Sequence, residues 1–505
     1  MSWVSNTISL YCFLFEQNTA SRMESTSLRD RIQLSEETAN LLKEADKKHW
    51  LVEREDKIFA KGKGEMQTHW LDIVKATNRG SESLSTTTRS DISESNNSDE
   101  VSVNADIDFK TQKPAKSLSD SSSRLINWNV EVLRRLIQQI VAHREARSAF
   151  EMDHFEHLSA SSSNKPGTVI DEVKEIIELP NFNAKFFKNH ESTSTIELGE
   201  LVEQQLHAFL RRIASMYRDN SFHNFEHASH VMMSVNKLLS RIIAPTDIQF
   251  NPKSSVGAMA STLHDNTYDI TSDPLTQFAC VFSALIHDVD HTGVPNTQLI
   301  NENAKIAATY KNKSIAEQNS VNISWNLLVE GNKYEALRAT VYGNEAERQR
   351  FRSLVVNSVM ATDIMDRGLK ALQNSRWETA FAEETNSKEN VNRKAAIVIE
   401  HLIQASDVAH TMQHWHVYRK WNERLFREMS HAYKQGRGAI DPADAWYKGE
   451  IGFFDFYIIP LAKKLKNCGV FGVSSEEYLK YAQNNRNEWE RKGLLIVEEV
   501  REKHR

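Results

Sequence analysis

Beyond residue 165 the sequence leaves room for little except helices. Glycine and proline, which interrupt regular elements, are sparse there, and helix-capping groups such as Ser474-Ser475-Glu476 recur. The alternation of apolar and polar residues that is typical of strands is scarce. With 40% hydrophobic residues in the chain, such a stretch has enough apolar side chains for a core. We therefore expect residues 166–495 to form an all-α, multi-helix domain.

The segments that precede this domain differ from it and from one another. Residues 73–123 are rich in Ser, Thr, Asn and acidic groups and bury too little apolar surface to offset chain entropy, which predicts a disordered linker. At 125–141 apolar residues follow a 3.6-residue period, which indicates an amphipathic helix within a connector spanning 124–165. Because its polar face carries mixed charges, we expect it to pack or to mediate a homodimer rather than to bind a membrane.

The composition argues against several classes of protein. A net charge of -6 gives no sign of a nucleic-acid-binding surface. The three cysteines lie far apart without a CxxC pair, which excludes a disulfide scaffold and a thiolate zinc site and suits a reducing compartment. No stretch approaches the ~20 apolar residues that a membrane-spanning helix needs. We expect a cytoplasmic protein without a nucleic-acid partner. If the sequence is a truncated gene model, we expect the cytosolic part of a membrane-bound receptor-type protein.

One stretch, FSALIHDVDHTG at 282–293, ends a run of apolar residues in four titratable side chains. Burying unpaired charge costs more than packing gains, so such groups are normally paired, hydrogen-bonded or bound to a metal ion. A solvated surface loop after a core helix is the alternative. The four side chains are those of His287, Asp288, Asp290 and His291.

Two other stretches carry groups of the same kind. FHNFEHASHV places His223, His227 and His230 at i, i+4 and i+7, positions that lie on one face of a helix, although an exposed His-rich turn is the alternative. Far downstream, HLIQASDVAH follows an apolar run and contains Asp407. Imidazole and carboxylate are ligands that zinc and harder divalent ions accept. Three apolar segments that each deliver such groups favour a metal site.

The order of these motifs resembles the catalytic domain of class I cyclic nucleotide phosphodiesterases. HNxxHxxxV is followed by HDxDHxG and by an aspartate after an apolar helix, and the resemblance runs over residues 180–492. It extends to ATD at 361–363, GFFDFYIIPL at 452–461 and NRNEWERKG at 485–493. A more distant HD-type phosphohydrolase would not explain the GFFDFYIIPL match.

The resemblance implies a centre with two divalent metal ions. The tightly bound ion, expected to be zinc, would be held by His227, His287, Asp288 and Asp407. Asp288 would bridge to a second ion, magnesium or manganese. The positions that match residues holding the waters of this second ion are His291, Glu317 and Thr362. Two such ions can acidify water and clamp phosphate oxygens, and His223 is placed to protonate the leaving 3′ oxygen as general acid.

The same resemblance assigns a site for the purine base. Phe453 matches the ring that stacks on the purine and Leu425 the opposing aliphatic wall, although ordinary core packing is the alternative for both. Elsewhere the chain departs from the family: Asn319 and Ser320 stand in place of two histidines, and Phe222 stands in place of a tyrosine. These changes leave the expected metal ligands in place but can weaken the groups that support them.

Glu450 is the departure that bears on base choice, because the family places a glutamine there. An ionised carboxylate only accepts hydrogen bonds, which suits guanine N1–H and the 2-amino group. In the family's usual pose it would meet O6 instead, so the purine must shift or Glu450 must be protonated. His410, where some members have a purine-contacting asparagine, can donate to O6. The alternative is that Glu450 turns to Lys448 and selects nothing; we expect cGMP preference or dual specificity.

Residues 18–38 and 60–71 resemble the last quarter of a class III nucleotide cyclase domain, closest to receptor guanylate cyclases. This implies a small α+β fragment over 16–72, with residues 1–15 an uncertain start. Asn18 and Arg22 match residues that act on the ribose and triphosphate. Lys61 matches a base- or phosphate-side lysine, with a solvated basic turn as the alternative.

The cyclase's metal-binding aspartates and base-selecting residues would precede residue 16, and they are absent. We therefore expect no cyclase activity from this chain, and we interpret it as a truncated gene model of a longer cyclase–phosphodiesterase fusion. The leading hypothesis for function is metal-dependent hydrolysis of 3′,5′-cyclic nucleotides, cGMP and/or cAMP, to 5′-monophosphates. The alternatives are a fragment of a bifunctional cyclase–phosphodiesterase and a catalytically weak cyclic-nucleotide-binding module.

Overall fold

The structure is a computed structural model that divides into two compact units, Met1–Gln112 and Lys113–Arg505. The residues it describes are 31–44, 47–60, 64–72, 120–150, 167–180, 196–242, 267–382 without 269, and 387–504 without 439. Most of the predicted linker, residues 73–119, lies outside the described residues, so that prediction is not tested.

In its described residues, 31–44, 47–60 and 64–72, the first unit combines strands with one α-helix, as predicted for an α+β fragment. Its elements are β1 (Ile32–Ser35), α1 (Glu36–Glu44), a 3₁₀ turn (Lys48–Trp50), β2 (Leu51–Glu53), β3 (Ile58–Ala60), β4 (Gly64–Met66) and β5 (Thr68–Leu71). Strands β1, β5 and β2 form an antiparallel sheet in that order, and β3 pairs with β4. Trp70 on the central strand is buried, and the guanidinium groups of Arg31 and Arg54 lie 5.4 and 5.0 Å from its ring. These contacts fix the sheet's register around one aromatic side chain.

All regular elements in the described residues of the second unit are helices, which confirms the all-α prediction. Its α-helices are α2 (Asp120–Phe150), α3 (Glu200–Met216), α4 (Phe225–Ser240), α5 (Pro274–Ile286), α6 (Asn296–Asn301), α7 (Lys305–Thr309), α8 (Ile315–Val329), α9 (Glu335–Val341), α10 (Glu345–Met360), α11 (Arg367–Ala382), α12 (Lys388–Asp407), α13 (Trp415–Lys434), α14 (Pro442–Phe453), α15 (Ile459–Asn467) and α16 (Gly472–Lys503). Short 3₁₀ turns lie at Val169–Glu172 and Ala409–Met412, and a π-helical turn at Phe454–Ile458 links α14 to α15. No helix among these residues is long and apolar enough to cross a membrane.

Helix α5 forms the centre of this unit. Its sequence is apolar on all sides, and every residue except Gln277 is buried. Helices α2, α4 and α10 pack around it, as expected for a helix without a polar face. Asp273 caps its start by accepting a hydrogen bond from the Thr276 amide, and Pro274 occupies the first helical position. The helix therefore ends inside the core, where a charged residue needs a partner.

The amphipathic helix predicted at 125–141 lies within α2. Leu133 and Ile137 on its apolar face are buried in the same core as α3 and α5. Asn129 is also fully buried and donates through Nδ2 to Ser229 Oγ on α4 at 2.9 Å. Helix α2 is thus an integral part of the second unit's core.

Candidate metal centre and active site

Three helices deliver four side chains to one point in the core. His227 lies in the first turn of α4, His287 and Asp288 directly follow α5, and Asp407 is the last residue of α12. His287 Nε2 lies 3.1 Å from Asp288 Oδ2 and 3.3 Å from Asp407 Oδ1. His227 Nε2 lies 3.0 Å from Asp407 Oδ1 and 3.7 Å from Asp288 Oδ2. We call these four residues the metal centre, because their ligand atoms can face a single ion.

The hydrogen bonds of the metal centre fit such an ion. His287 Nδ1 lies 2.9 Å from the carbonyl oxygen of Ala284, so Nδ1 carries the hydrogen and Nε2 has the lone pair. His287 Nε2 and Asp288 Oδ2 are buried 3.1 Å apart, and in the described structure neither makes an aligned hydrogen bond. Buried polar atoms without partners are rare, and a cation between them would satisfy both. Two imidazoles and two carboxylates are a donor set that suits zinc.

The charges in this centre stabilise one another. Burial alone would favour the neutral form of each group, but the neighbouring imidazoles outweigh burial and lower the pKa of Asp288 and of Asp407. The carboxylates likewise outweigh burial at His287 and raise the pKa of its imidazole. The two aspartates are therefore ionised and able to bind a cation.

A second group of polar residues lies beside Asp288. Asn296 Nδ2 donates to Glu317 Oε2 at 2.9 Å and lies 3.4 Å from Asp363 Oδ2. Burial, and after it the nearby charge of Asp363, raises the pKa of Glu317 to about 8. Asp363 is buried and Glu317 is partly buried, and two such carboxyl groups that share one amide donor would be stabilised by a cation or its waters. The hydroxyl of Thr362 donates to the Val359 carbonyl at 2.8 Å, which leaves its lone pairs available.

His223 lies just outside the helix that carries His227. The interpretation of three histidines on one helical face is wrong, because Asn224 caps α4 and the helix begins at Phe225. The His223 ring instead lies 3.9 Å from that of His291 and 6.1 Å from that of His227, measured between centroids. His230 points elsewhere, with its half-exposed ring 5.2 Å from Trp421.

Glu428 on α13 is a functional candidate that the sequence did not reveal. Its Oε1 lies 2.5 Å from His223 Nδ1, and its Oε2 accepts the backbone N–H groups of Phe222 and His223 at 2.7 and 3.0 Å. Burial would lower the pKa of His223, but the charges of Glu428 and Asp288 outweigh it and raise the pKa to about 9. The sequence offered one indication of this role: Glu428 follows Leu425, a residue assigned to the purine site, by about one helical turn and so lies on the same helix face.

The loop from His287 to Gly293 is held in place from two sides. Asn220 Nδ2 donates to the carbonyl oxygens of His223 at 3.0 Å and of His291 at 2.8 Å, which ties the two segments together. Gly293 N–H donates to His291 Nδ1 at 3.2 Å, so the neutral ring carries its hydrogen on Nε2. Burial, and then the charge of His223, lowers the pKa of His291 to about 4 and keeps it neutral.

Asp290, the remaining titratable residue of this stretch, does not join the metal centre. Its backbone adopts a left-handed conformation with φ of 64°, and its carboxylate lies 2.7 Å from Arg218 Nε. Asn319 Nδ2 donates to the other oxygen of Asp290 at 3.2 Å, and Ser320 Oγ donates to the Val289 carbonyl at 2.8 Å. The two residues that depart from the family therefore both hydrogen-bond to this loop.

The end of helix α14 and the π-helical turn that follows it carry Glu450, Phe453 and Tyr457 at helical spacing, and we call these three residues the α14 wall. The rings of Phe453 and Tyr457 stack at 5.4 Å, and burial together with the negative charge of Asp407 raises the pKa of Tyr457. Glu450 is buried and accepts a 2.6 Å hydrogen bond from the Tyr418 hydroxyl, not from Lys448.

The other residues assigned to the purine site lie around these elements. Phe453 and Leu425 are half-buried against the core. His410, in the 3₁₀ turn after α12, has its ring 5.5 Å from Phe222 and 6.2 Å from Trp421. Burial, and after it the nearby His227, lowers the pKa of His410 to about 3. The three residues assigned to the cyclase fragment, Asn18, Arg22 and Lys61, lie outside the described residues.

The fold and the site together define an all-helical unit with a candidate metal centre of histidines and aspartates. Residues 222–471 match the family described as 3'5'-cyclic nucleotide phosphodiesterase, and residues 5–73 match the adenylate and guanylate cyclase catalytic domain. Residues 222–471 therefore belong to the 3′,5′-cyclic nucleotide phosphodiesterase family, and a fragment of a cyclase catalytic domain precedes them. Both recognitions made from the sequence motifs are confirmed.

Curated relatives are similar over part of their length. The probable 3′,5′-cyclic-AMP phosphodiesterase pde-4 of Caenorhabditis elegans is 25% identical over 283 residues, covering 52% of this chain and 36% of the relative. The 3′,5′-cyclic-AMP phosphodiesterase 4C of Mus musculus is 24% identical over 361 residues, covering 68% of this chain and 47% of the relative. The chain thus spans half or less of the length of these two relatives. The phosphodiesterase domain of the RhoPDE fusion protein from Salpingoeca rosetta is 22% identical, with a TM-score of 0.44, over 60% of this chain and 88% of that structure.

Proposed function

We propose that the unit Lys113–Arg505 hydrolyses 3′,5′-cyclic nucleotides to 5′-monophosphates in a metal-dependent reaction. The observation that carries the proposal is the metal centre, where buried His287 Nε2 and Asp288 Oδ2 lie 3.1 Å apart without an aligned hydrogen bond, beside His227 and Asp407. The family match and the cyclic-AMP phosphodiesterases among the relatives support the reaction class. Zinc at the metal centre and magnesium or manganese beside it would supply Lewis acidity, which acidifies water and neutralises charge on the phosphate.

The residues that would hold these ions follow from the contacts above. His227, His287, Asp288 and Asp407 would bind the first ion, and Asp288 would also face the second. Glu317, Thr362 and His291 offer a carboxyl group, hydroxyl lone pairs and an N–H group to the waters of the second ion. The pair of partly buried Glu317 and buried Asp363 supports this assignment, because it lacks a cationic side chain at ion-pair distance among the described residues.

His223 acts as general acid in this proposal. The attacking water gives one proton to solvent as its oxygen bonds to phosphorus. The bond from phosphorus to the 3′ oxygen breaks, and the leaving oxygen takes a proton from His223, which regains one from solvent. Glu428 accepts the hydrogen on Nδ1, so the other nitrogen, Nε2, presents the proton that is transferred. Glu428 is ionised, because the charge of His223 outweighs burial and lowers the pKa of this carboxyl group to about 2. The pair therefore keeps an imidazolium ready at neutral pH.

The α14 wall would take the purine base. Phe453 offers a ring face for stacking, with Leu425 opposite, and Glu450 offers a carboxyl group to the polar edge of the base. His410 would donate to guanine O6. From the hydrogen-bonding capacity of Glu450 we propose cGMP preference or dual specificity, whereas the relatives are cyclic-AMP phosphodiesterases by name.

Removing and restoring the metal ions tests the proposal. Purified protein that has been dialysed against a chelator should lose hydrolysis of both cAMP and cGMP, and addition of Zn²⁺ with Mg²⁺ should restore it with 5′-monophosphate as the product. Full hydrolysis by metal-free protein would contradict metal dependence. Metal-loaded, folded protein that hydrolyses neither nucleotide would instead favour a binding module.

A further inference from the structure

A hydrogen-bond chain with a fixed direction ends at Glu450. The Trp446 indole can only donate, and its Nε1–H donates to Asn422 Oδ1 at 3.2 Å. Asn422 therefore uses Nδ2 as the donor toward the Tyr418 hydroxyl oxygen at 3.4 Å. The Tyr418 hydroxyl must in turn donate to Glu450 Oε2 at 2.6 Å. Because Oε2 is held as an acceptor, Oε1 is the oxygen that can carry a proton.

The groups around Glu450 are polar but uncharged. Tyr418 and Asn422 of α13 face it, and the neighbours of Tyr418 are the rings of Phe454 in the π-helical turn and Trp489 in α16. Within the described residues, no lysine, arginine or histidine lies at ion-pair distance from Glu450. Burial raises the pKa of Glu450 to about 7, and the hydrogen bonds from Tyr418 and Asn422 act against that rise. Both protonation states are thus populated near neutral pH.

We propose that the base preference of this site follows the protonation state of Glu450. When neutral, its carboxyl group both donates a hydrogen bond to the purine and accepts one from it; when ionised, it only accepts. The inference rests on the proposed function and adds to it a control of substrate choice. Its geometric basis is the position of Glu450 on the α14 wall, one turn before Phe453, with its orientation fixed by Tyr418.

The two forms of Glu450 suit different purine edges. Neutral Glu450 can donate from Oε1–H and accept at Oε2, which matches N1 and the 6-amino group of adenine and equally O6 and N1–H of guanine. Ionised Glu450 accepts two hydrogens from guanine, N1–H and the 2-amino group, in charge-assisted bonds. Facing adenine, it accepts one hydrogen and meets the N1 lone pair. The preference for cGMP over cAMP should therefore rise with pH.

Internal competition measures this preference directly. Both nucleotides are mixed in one vessel with the metal-loaded full chain, and the ratio of kcat/KM for cGMP to that for cAMP is followed from pH 6 to 9. Titrations of the metal centre and of His223 affect both substrates alike and cancel in the ratio. We expect the ratio to rise about tenfold between pH 6 and 9, because one charge-assisted hydrogen bond changes affinity by about this factor.

Two variants separate a role of Glu450 from other causes. Glu450→Gln cannot ionise, so its ratio should stay constant with pH. Tyr418→Phe removes a hydrogen bond that stabilises the carboxylate, so its ratio should still rise, but at higher pH. A ratio in the wild type that does not change with pH, or exclusive use of one nucleotide at every pH, would overturn the inference and leave the proposed function standing. Hydrolysis of neither nucleotide would overturn the proposed function itself.

Discussion

The metal centre and the α14 wall both bury carboxyl groups, yet the charge of those groups differs between the two regions. At the metal centre, Asp288 and Asp407 face imidazoles, which lower the pKa of each carboxyl group despite burial. On the α14 wall, Glu450 faces the neutral donors Tyr418 and Asn422, and burial raises its pKa to about 7. The partner, rather than the depth of burial, decides which carboxyl groups remain charged. In our proposals the first region binds cations and the second exchanges a proton.

Loss of a metal-centre ligand should have the largest effect. His287→Ala and Asp407→Ala should each abolish both turnover and bound metal, because each removes a group that would bind the ion directly. Elemental analysis and hydrolysis assays on the same preparation measure the two losses. Asp290→Asn is the matched control, since Asp290 pairs with Arg218 outside the centre and should keep its metal. A fully active His287→Ala protein would show that this region does not need to bind a metal ion, and the proposed difference between the metal centre and the α14 wall would no longer hold.

Loss of His223 should slow the chemistry without emptying the metal centre. His223→Ala should reduce kcat by about 10²- to 10⁴-fold, the usual range for a general acid, and retain the metal content of the wild type. His230→Ala is the matched control, because its half-exposed ring faces Trp421, and its activity should stay within about twofold of the wild type. Metal loss in His223→Ala would mean that this histidine belongs to the metal centre instead.

Glu428→Gln should have a smaller effect, expressed most clearly in the pH profile. The amide keeps the shape of the side chain but removes the charge that raises the pKa of His223. We expect kcat to fall about 10- to 100-fold, the range for a residue that orients a functional histidine. Hydrolysis declines on the alkaline side as His223 loses its proton, and this decline should move to lower pH in the variant. An unchanged alkaline limb would contradict the pairing.

Removal of the first unit should have the smallest effect. Both regions lie within Lys113–Arg505, which has its own core, so a chain starting at Lys113 should hydrolyse cyclic nucleotides within about twofold of the full chain. A chain starting at residue 166 is the variant to compare with it. This shorter chain also lacks α2, whose Leu133 and Ile137 are buried in the core, and it should not fold. Loss of folded protein in the chain that starts at Lys113 would show that the first unit is integral to the second.

Local patterns in the sequence predicted the all-α unit and the helix at 125–141, because apolar periodicity and capping residues act within a few turns. The same patterns pointed to the three segments that form the candidate metal centre, because charged groups at the ends of apolar helices need partners. Three features depended on contacts that the sequence does not show. Glu428 reaches His223 from α13, Asn224 ends the helix before His223, and the left-handed backbone of Asp290 turns its side chain toward Arg218.

The position of the bound ion tests the central claim most directly. Crystals of the metal-loaded protein, measured on both sides of the zinc absorption edge, would locate zinc by its anomalous scattering. We expect one strong peak about 2.0–2.2 Å from the ligand atoms of His227, His287, Asp288 and Asp407. A fully active protein with no zinc or other metal ion between these four side chains would contradict the claim.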